Sequence, residues 1–212
     1  MNVQIKNISI ELNKRLVYPY KWGTKQTDAL DKQTKFIYNT PLFNDLLQTI
    51  DSKFKEEVDY ERIKNYALNR WYNFYSAKAV ETIFKANPKV KSAQNAKDKE
   101  VDFFIEDIPF DHKTTVFPKG LKMSFNNAIN QPNNVAKWLY ENQSRQGRFH
   151  LKNRLFVILY AKNGNHWMLK AKLKKIDRAI NQHLNNFKID NLLQLNLGEK
   201  QAAYAAIIWV VE

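Results

Sequence analysis

The stretch KEVDFFIEDIPFDHKTT, from Lys99 to Thr115, holds two short runs of strand-forming residues. Val101 to Ile105 and Phe110 to Phe117 are rich in aromatic and β-branched side chains, which suit a pleated surface. Between them Glu106-Asp107-Ile108-Pro109 reads as a turn, with a proline that cannot donate to a central ladder. Side chains alternate faces along a strand. Asp111, Lys113 and Thr115 therefore share one face of the second run, and Phe110, His112, Thr114 and Val116 share the other. Asp102 stands among apolar neighbours in the first run. Charges in such company are rarely buried unless they pair or hold a metal.

Upstream, Asp59 is placed to cap a helix running to about Ala86, where Asn87-Pro88 stops it. Its inner stripe, at three- and four-residue steps, is Ile63, Ala67, Arg70, Phe74, Ala77, Glu81 and Phe84. Glu81 on that stripe needs a partner, a metal or a wet cleft, unless the stripe is rotated and Glu81 is a solvated edge residue. Further back, Thr27 to Tyr38 and Pro41 to Phe54 read as helices, with Thr40 as N-cap and Pro41 as first helical residue. The alternation from Val3 to Ile10 fits a short strand and an irregular arm equally. Ser92 to Lys99 reads as a loop or the approach to a strand.

Downstream, a helix is expected from about Asn133 to Gln143, and Leu155 to Tyr160 is the continuous apolar run of a central strand. Asn163-Gly164 signals a hairpin with His166 to Lys170 as its second strand. An amphipathic helix through Ile176, Ile180, Leu184 and Phe187 precedes a buried strand from Ala205 to Val211. The expected organisation is a mainly helical extension over residues 1–58 and an α/β core over 59–212, its mixed sheet flanked by helices.

Composition supports a packed core: 44% of the 212 residues are hydrophobic and 13% aromatic. There is no cysteine, which excludes disulfides and thiolate chemistry. No apolar run approaches a membrane span, and MNVQIKNISIEL lacks the architecture of a signal peptide. The expectation is a cytoplasmic chain with no membrane partner. The net charge of +13 is unevenly spread: residues 113–178 hold 14 Lys/Arg against 2 Asp/Glu, a net of +12. Such enrichment beside carboxylates is what a cleft for a polyanion needs, so nucleic acid is the expected partner. Arg145, Arg148 and Lys152, with Lys119 and Lys122, are the candidate phosphate-binding groups. With five glycines, the chain carries neither nucleotide-binding glycine fingerprint.

A helix bearing Glu81, then Asp102, then Asp111-His112-Lys113 on the next strand, then a further helix, resembles the PD-(D/E)XK nuclease superfamily, which has the restriction-endonuclease-like fold. The resemblance spans residues 60–160, and the last strand is expected to complete the sheet. It implies a Mg²⁺-dependent phosphodiesterase acting on DNA, less often RNA. On that pattern Asp102 matches the first acidic ligand, Asp111 the second, Lys113 the lysine and Glu81 the helix glutamate. Val101 stands where the family's proline usually precedes the first aspartate. By the same analogy the carbonyl of His112 is an extra metal ligand.

The residues argue for the same chemistry. Carboxylates converging on one point hold Mg²⁺, a hard cation that prefers oxygen, with Mn²⁺ a natural substitute. Such a cation acidifies water and neutralises charge building on the phosphate. Asp102 and Asp111 would supply ligands, Glu81 a second ion or a water, and Lys113 a contact to the attacking water or a non-bridging oxygen. The duller alternative makes Asp111 and Lys113 an ion pair on an edge strand and Asp102 a turn cap. The expected function is a metal-dependent DNA endonuclease of restriction or defence type, working as a homodimer. The alternative is a non-catalytic nucleic-acid-binding subunit that keeps the fold.

Overall fold

A computed structural model describes residues 3–22, 24–93, 101–142, 151–197 and 202–212. They form two compact units, Met1–Ala79 with Lys170–Leu173, and Val80–Leu169 with Lys174–Glu212.

The first unit is helical: α1 Val3–Lys14, α2 Asp28–Gln33, α3 Phe43–Phe54 and the body of α4, Tyr60–Lys85, a helix through which the boundary between the units passes. The stretch from Val3 that fitted a strand or an arm is helix, because Ile5 and Leu12 lie seven apart on one buried side. Thr27 caps α2 by accepting from the Leu30 N–H. The cap expected at Thr40 falls two residues later, at Leu42, which carries no side-chain acceptor. The buried face of α4 holds Ile63, Ala67, Arg70 and Phe84 of the expected stripe and is wider than it. Tyr66, Trp71, Tyr72, Ala79 and Ile83 are buried, and Ala77 is exposed. Arg70 remains on the buried side because it has partners, with Nε 3.2 Å from Asp31 and Nη2 donating to the Tyr38 hydroxyl at 2.7 Å. Arg15 is fully buried and donates to the carbonyls of Tyr18 and Pro19 and to Asn69 Oδ1. Each guanidinium thus spends its hydrogen bonds on chain that would otherwise be irregular.

The second unit is a six-stranded mixed sheet: β1 Val90–Ser92, β2 Phe103–Ile105, β3 Ile108–Val116, β4 Arg154–Tyr160, β5 Leu193–Asn196 and β6 Ala202–Val211, in the order β1-β2-β3-β4-β6-β5. β1, β2 and β3 form an antiparallel meander; β4 runs parallel to β3 and to β6, and β5 closes the far edge antiparallel to β6. The β2–β3 connection is a two-residue turn, Glu106-Asp107, with φ of 49° and 64°. Positive φ at both positions matches the twist of a tight hairpin. α5 Phe125–Asn130 and α6 Pro132–Glu141 pack on one face against Phe156, Ile158, Leu195, Ala203 and Ala205. α7 Leu173–Asn185 leads to Phe187, which meets Phe110 on the other face, where Phe84 of α4 stacks on Phe103.

One expected strand is absent. His166–Ala171 is a 3-10 helix, not the partner of β4. Both edges of β4 are already taken, by β3 and β6, so the Asn163-Gly164 turn has no ladder to close. Instead the Ala161 N–H donates to His166 Nδ1 at 2.8 Å.

Candidate active site

Three strands meet at the amino-terminal end of β3. The last β2–β3 pair is Phe103 with Phe110, so the next position sets Asp102 opposite Asp111. The Asp102 N–H still donates to the Phe110 carbonyl at 2.9 Å. Beyond it the backbone ladder ends and the side chain takes over. Asp102 Oδ2 accepts from the His112 backbone N–H at 3.0 Å and from His112 Nδ1 at 2.7 Å. The carboxylate stands where the next strand carbonyl would stand. It also sets the imidazole tautomer, because a carboxylate can only accept and the proton must sit on Nδ1. The ring packs on Phe84 and Phe103, at centroid distances of 5.7 and 6.1 Å.

Asp111 turns to the α6 side. β3 pairs with β4 in a register that puts Asp111 beside Arg154, and Arg154 Nε donates to Asp111 Oδ2 at 2.6 Å. Both side chains are only 3% exposed. The guanidinium lies 5.7 Å from the ring centre of Tyr140, whose hydroxyl donates to the Lys152 carbonyl at 2.6 Å. Burial drives the Tyr140 pKa well above its ordinary value, and Asp111 adds to the shift, so the phenol stays a donor. Asn153 joins the three strands: its Nδ2 donates to the Pro109 carbonyl, its Oδ1 accepts from the Tyr204 N–H, and its own carbonyl accepts from the Asp111 N–H.

Lys113 follows Asp111 on the same face and is exposed. Glu81 is half-buried on α4 and makes an ion pair with Lys85, one turn along its own helix. Among the described residues, no three His, Asp or Glu side chains gather as a cation site. The hairpin thus brings Asp102, Asp111 and His112 into neighbouring positions, and Glu81 pairs with Lys85 on α4. Lys119, Lys122 and Lys152 are exposed, and Arg145 and Arg148 lie outside the described residues. Arg154, just after Lys152 in that basic stretch, is a buried partner of Asp111. A basic residue opening an apolar strand was the available signal, but its pairing depends on a register that sequence does not contain. No helix among the described residues is long and apolar enough to cross a membrane. No family model, curated protein or solved structure matches the chain.

Proposed function

We propose that this protein is a metal-dependent nuclease, acting on DNA in preference to RNA, with Asp102, Asp111 and Lys113 at its centre. The observation that carries the reading is the hairpin register, which puts Asp102 and Asp111 at opposed positions with an exposed lysine two residues on, while their carboxylates take separate partners, His112 and Arg154. The strand order around them, helix, three antiparallel strands, helices and a parallel strand, supports the restriction-endonuclease-like form of the fold. Magnesium uses oxygen ligands and commonly only one or two protein carboxylates, the rest of its shell being water and substrate oxygen. Asp102 and Asp111 match that donor chemistry and would hold the ion. When bound it would supply charge neutralisation at the phosphate and a more acidic water. Lys113 is exposed on the Asp111 face and would meet a non-bridging phosphate oxygen, stabilising charge as it develops. Arg154 orients Asp111, and His112 orients Asp102.

The cleanest test follows from burial. Asp111 is locked to Arg154, so its removal endangers the fold, whereas Lys113 is exposed. Plasmid and oligonucleotide cleavage should require Mg²⁺ or Mn²⁺ and stop with EDTA. Lys113→Ala should lower the rate about a hundredfold or more with an unchanged melting temperature. Cleavage that Lys113→Ala leaves intact would sink the reading.

A second reading has its own observation. Each aspartate already gives one oxygen to a protein donor, at 2.7 Å from His112 Nδ1 and 2.6 Å from Arg154. A subunit that keeps the fold and binds nucleic acid without hydrolysing it would look the same. It requires salt-sensitive binding and no cleavage under any divalent ion.

A further inference from the structure

At the carboxyl ends of β3, β4 and β6, far along the strands from the aspartates, five rings meet. Phe125 lies flat on Tyr160, with centroids 3.7 Å apart and planes within 2°. His166 stacks on Tyr160 at 5.1 Å. Phe117 stands edge-on to Tyr160 at 5.5 Å, and Trp209 edge-on to Phe125 at 5.4 Å. Alternation explains the gathering. Phe117 follows Asp111, Lys113 and Thr115 on one face of β3, Tyr160 follows Arg154 on β4, and Trp209 sits beside Ile158. All five rings are half-buried, none fully enclosed.

The electrostatics of the cluster are cationic. Exposed Lys119 is close enough to His166 to lower its pKa, adding to the larger effect of burial. Because Nδ1 accepts from Ala161, the neutral ring carries its proton on Nε2 and offers a donor. From His112 to Ile176 the sequence holds one acidic residue, Glu141. Partly exposed rings beside a lysine, in a stretch nearly free of acids, combine the two elements that single strands use, stacking and backbone charge.

We infer that this ring cluster is a stacking platform for an unpaired base of a nucleic-acid strand, with the adjoining phosphate on Lys119. The inference rests on the nucleic-acid reading above and adds a substrate class: a strand with unpaired bases, since a duplex hides its base faces. Six residue steps lead from Asp111 along β3 to Phe117, a run of about 20 Å. One extended strand lying along β3 would reach both ends.

The test is photocrosslinking of the full-length protein to a single-stranded oligonucleotide carrying 5-bromodeoxyuridine, with the adducts mapped by mass spectrometry. Adducts are expected on Phe117, Tyr160, His166 or Trp209. Trp209→Leu should weaken binding of single-stranded oligothymidylate about tenfold and leave binding of an equal-length duplex unchanged. If that variant does not fold, Lys119→Ala is read in the same pair of titrations, with the same selective loss. Adducts confined to other parts of the chain, or binding of duplex alone, overturn the platform and leave the nuclease reading standing. Failure to bind any nucleic acid at low salt overturns both.

Discussion

Asp111 and Arg154 are nearly out of water and 2.6 Å apart. Burying two charges costs several kcal/mol per ion, which their attraction and hydrogen bonds must offset, so the pair is weak evidence of net stabilisation. Breaking it is another matter, because a carboxylate stripped of its guanidinium stays buried. Arg154→Met should therefore destabilise the protein by about 3–5 kcal/mol, read as a lower midpoint in urea. Replacing both residues with apolar ones should recover most of that loss. A single substitution costing under about 1 kcal/mol would mean that water or another cation reaches Asp111. Asp111 was recognisable in the sequence as a charge in an apolar strand, but its partner was not. Arg154 lies 43 residues away, and only the β3–β4 register makes them neighbours. The Asp102–His112 contact was hidden for a different reason, since it replaces a backbone ladder bond just before β2 begins.

Elements with long apolar patterns were legible, and short ones were not. β4, β6, α4 and α7 lie close to where their apolar runs put them. β1 and β5 have three and four residues, too few for a period to show, and they pair only because a neighbouring edge is open. The run from His166 to Lys170 failed the other way: the Asn163-Gly164 turn signals a hairpin, but β4 has no free edge to receive a partner. On α7, Ile176, Ile180 and Leu184 are fully buried as their spacing requires, and His183 beside them is mostly enclosed. Its Nε2 has no hydrogen-bond partner among the described residues. Burial lowers the His183 pKa, and burial with Lys119 lowers that of His166. In both cases the unfolded chain binds the proton more tightly. Stability is then complete above the ordinary histidine pKa and falls as the pH drops through it towards the folded value. Thermal melts from neutral to mildly acidic pH should show that loss. His183→Leu should make the acid limb shallower and leave a remainder from His166. A limb of unchanged steepness would assign the loss to other groups.

At the scale of the whole molecule, both units are net positive, and the basic stretch from 113 to 178 falls mostly in one of them. Of the 14 basic residues between 113 and 178, only Lys170 and Lys172 belong to the helical unit; the other 12 belong to the sheet unit that carries the Asp102–Asp111 hairpin. A field of that kind draws in a polyanion whatever its sequence, and its contribution can be counted. Each phosphate neutralised releases counterions, so log affinity falls with log salt by about 0.9 per contact on duplex and about 0.7 on single strands. Lys119 and Lys122 are exposed and lie outside every hydrogen bond and ion pair described above. Replacing both with alanine should leave the fold unchanged and reduce the salt slope by about one per lysine that contacts a phosphate. The loss should be similar across oligonucleotide sequences, because phosphates carry no sequence information. A slope unmoved by the double substitution would shift the phosphate contacts to other exposed residues of the basic stretch, Lys113, Lys152 and Lys162 included. Lys113 then separates binding from chemistry. As a phosphate contact alone it should change the salt slope, whereas as a group acting in the transition state it should change the cleavage rate at saturating nucleic acid, and the two measurements on Lys113→Ala divide its role between them.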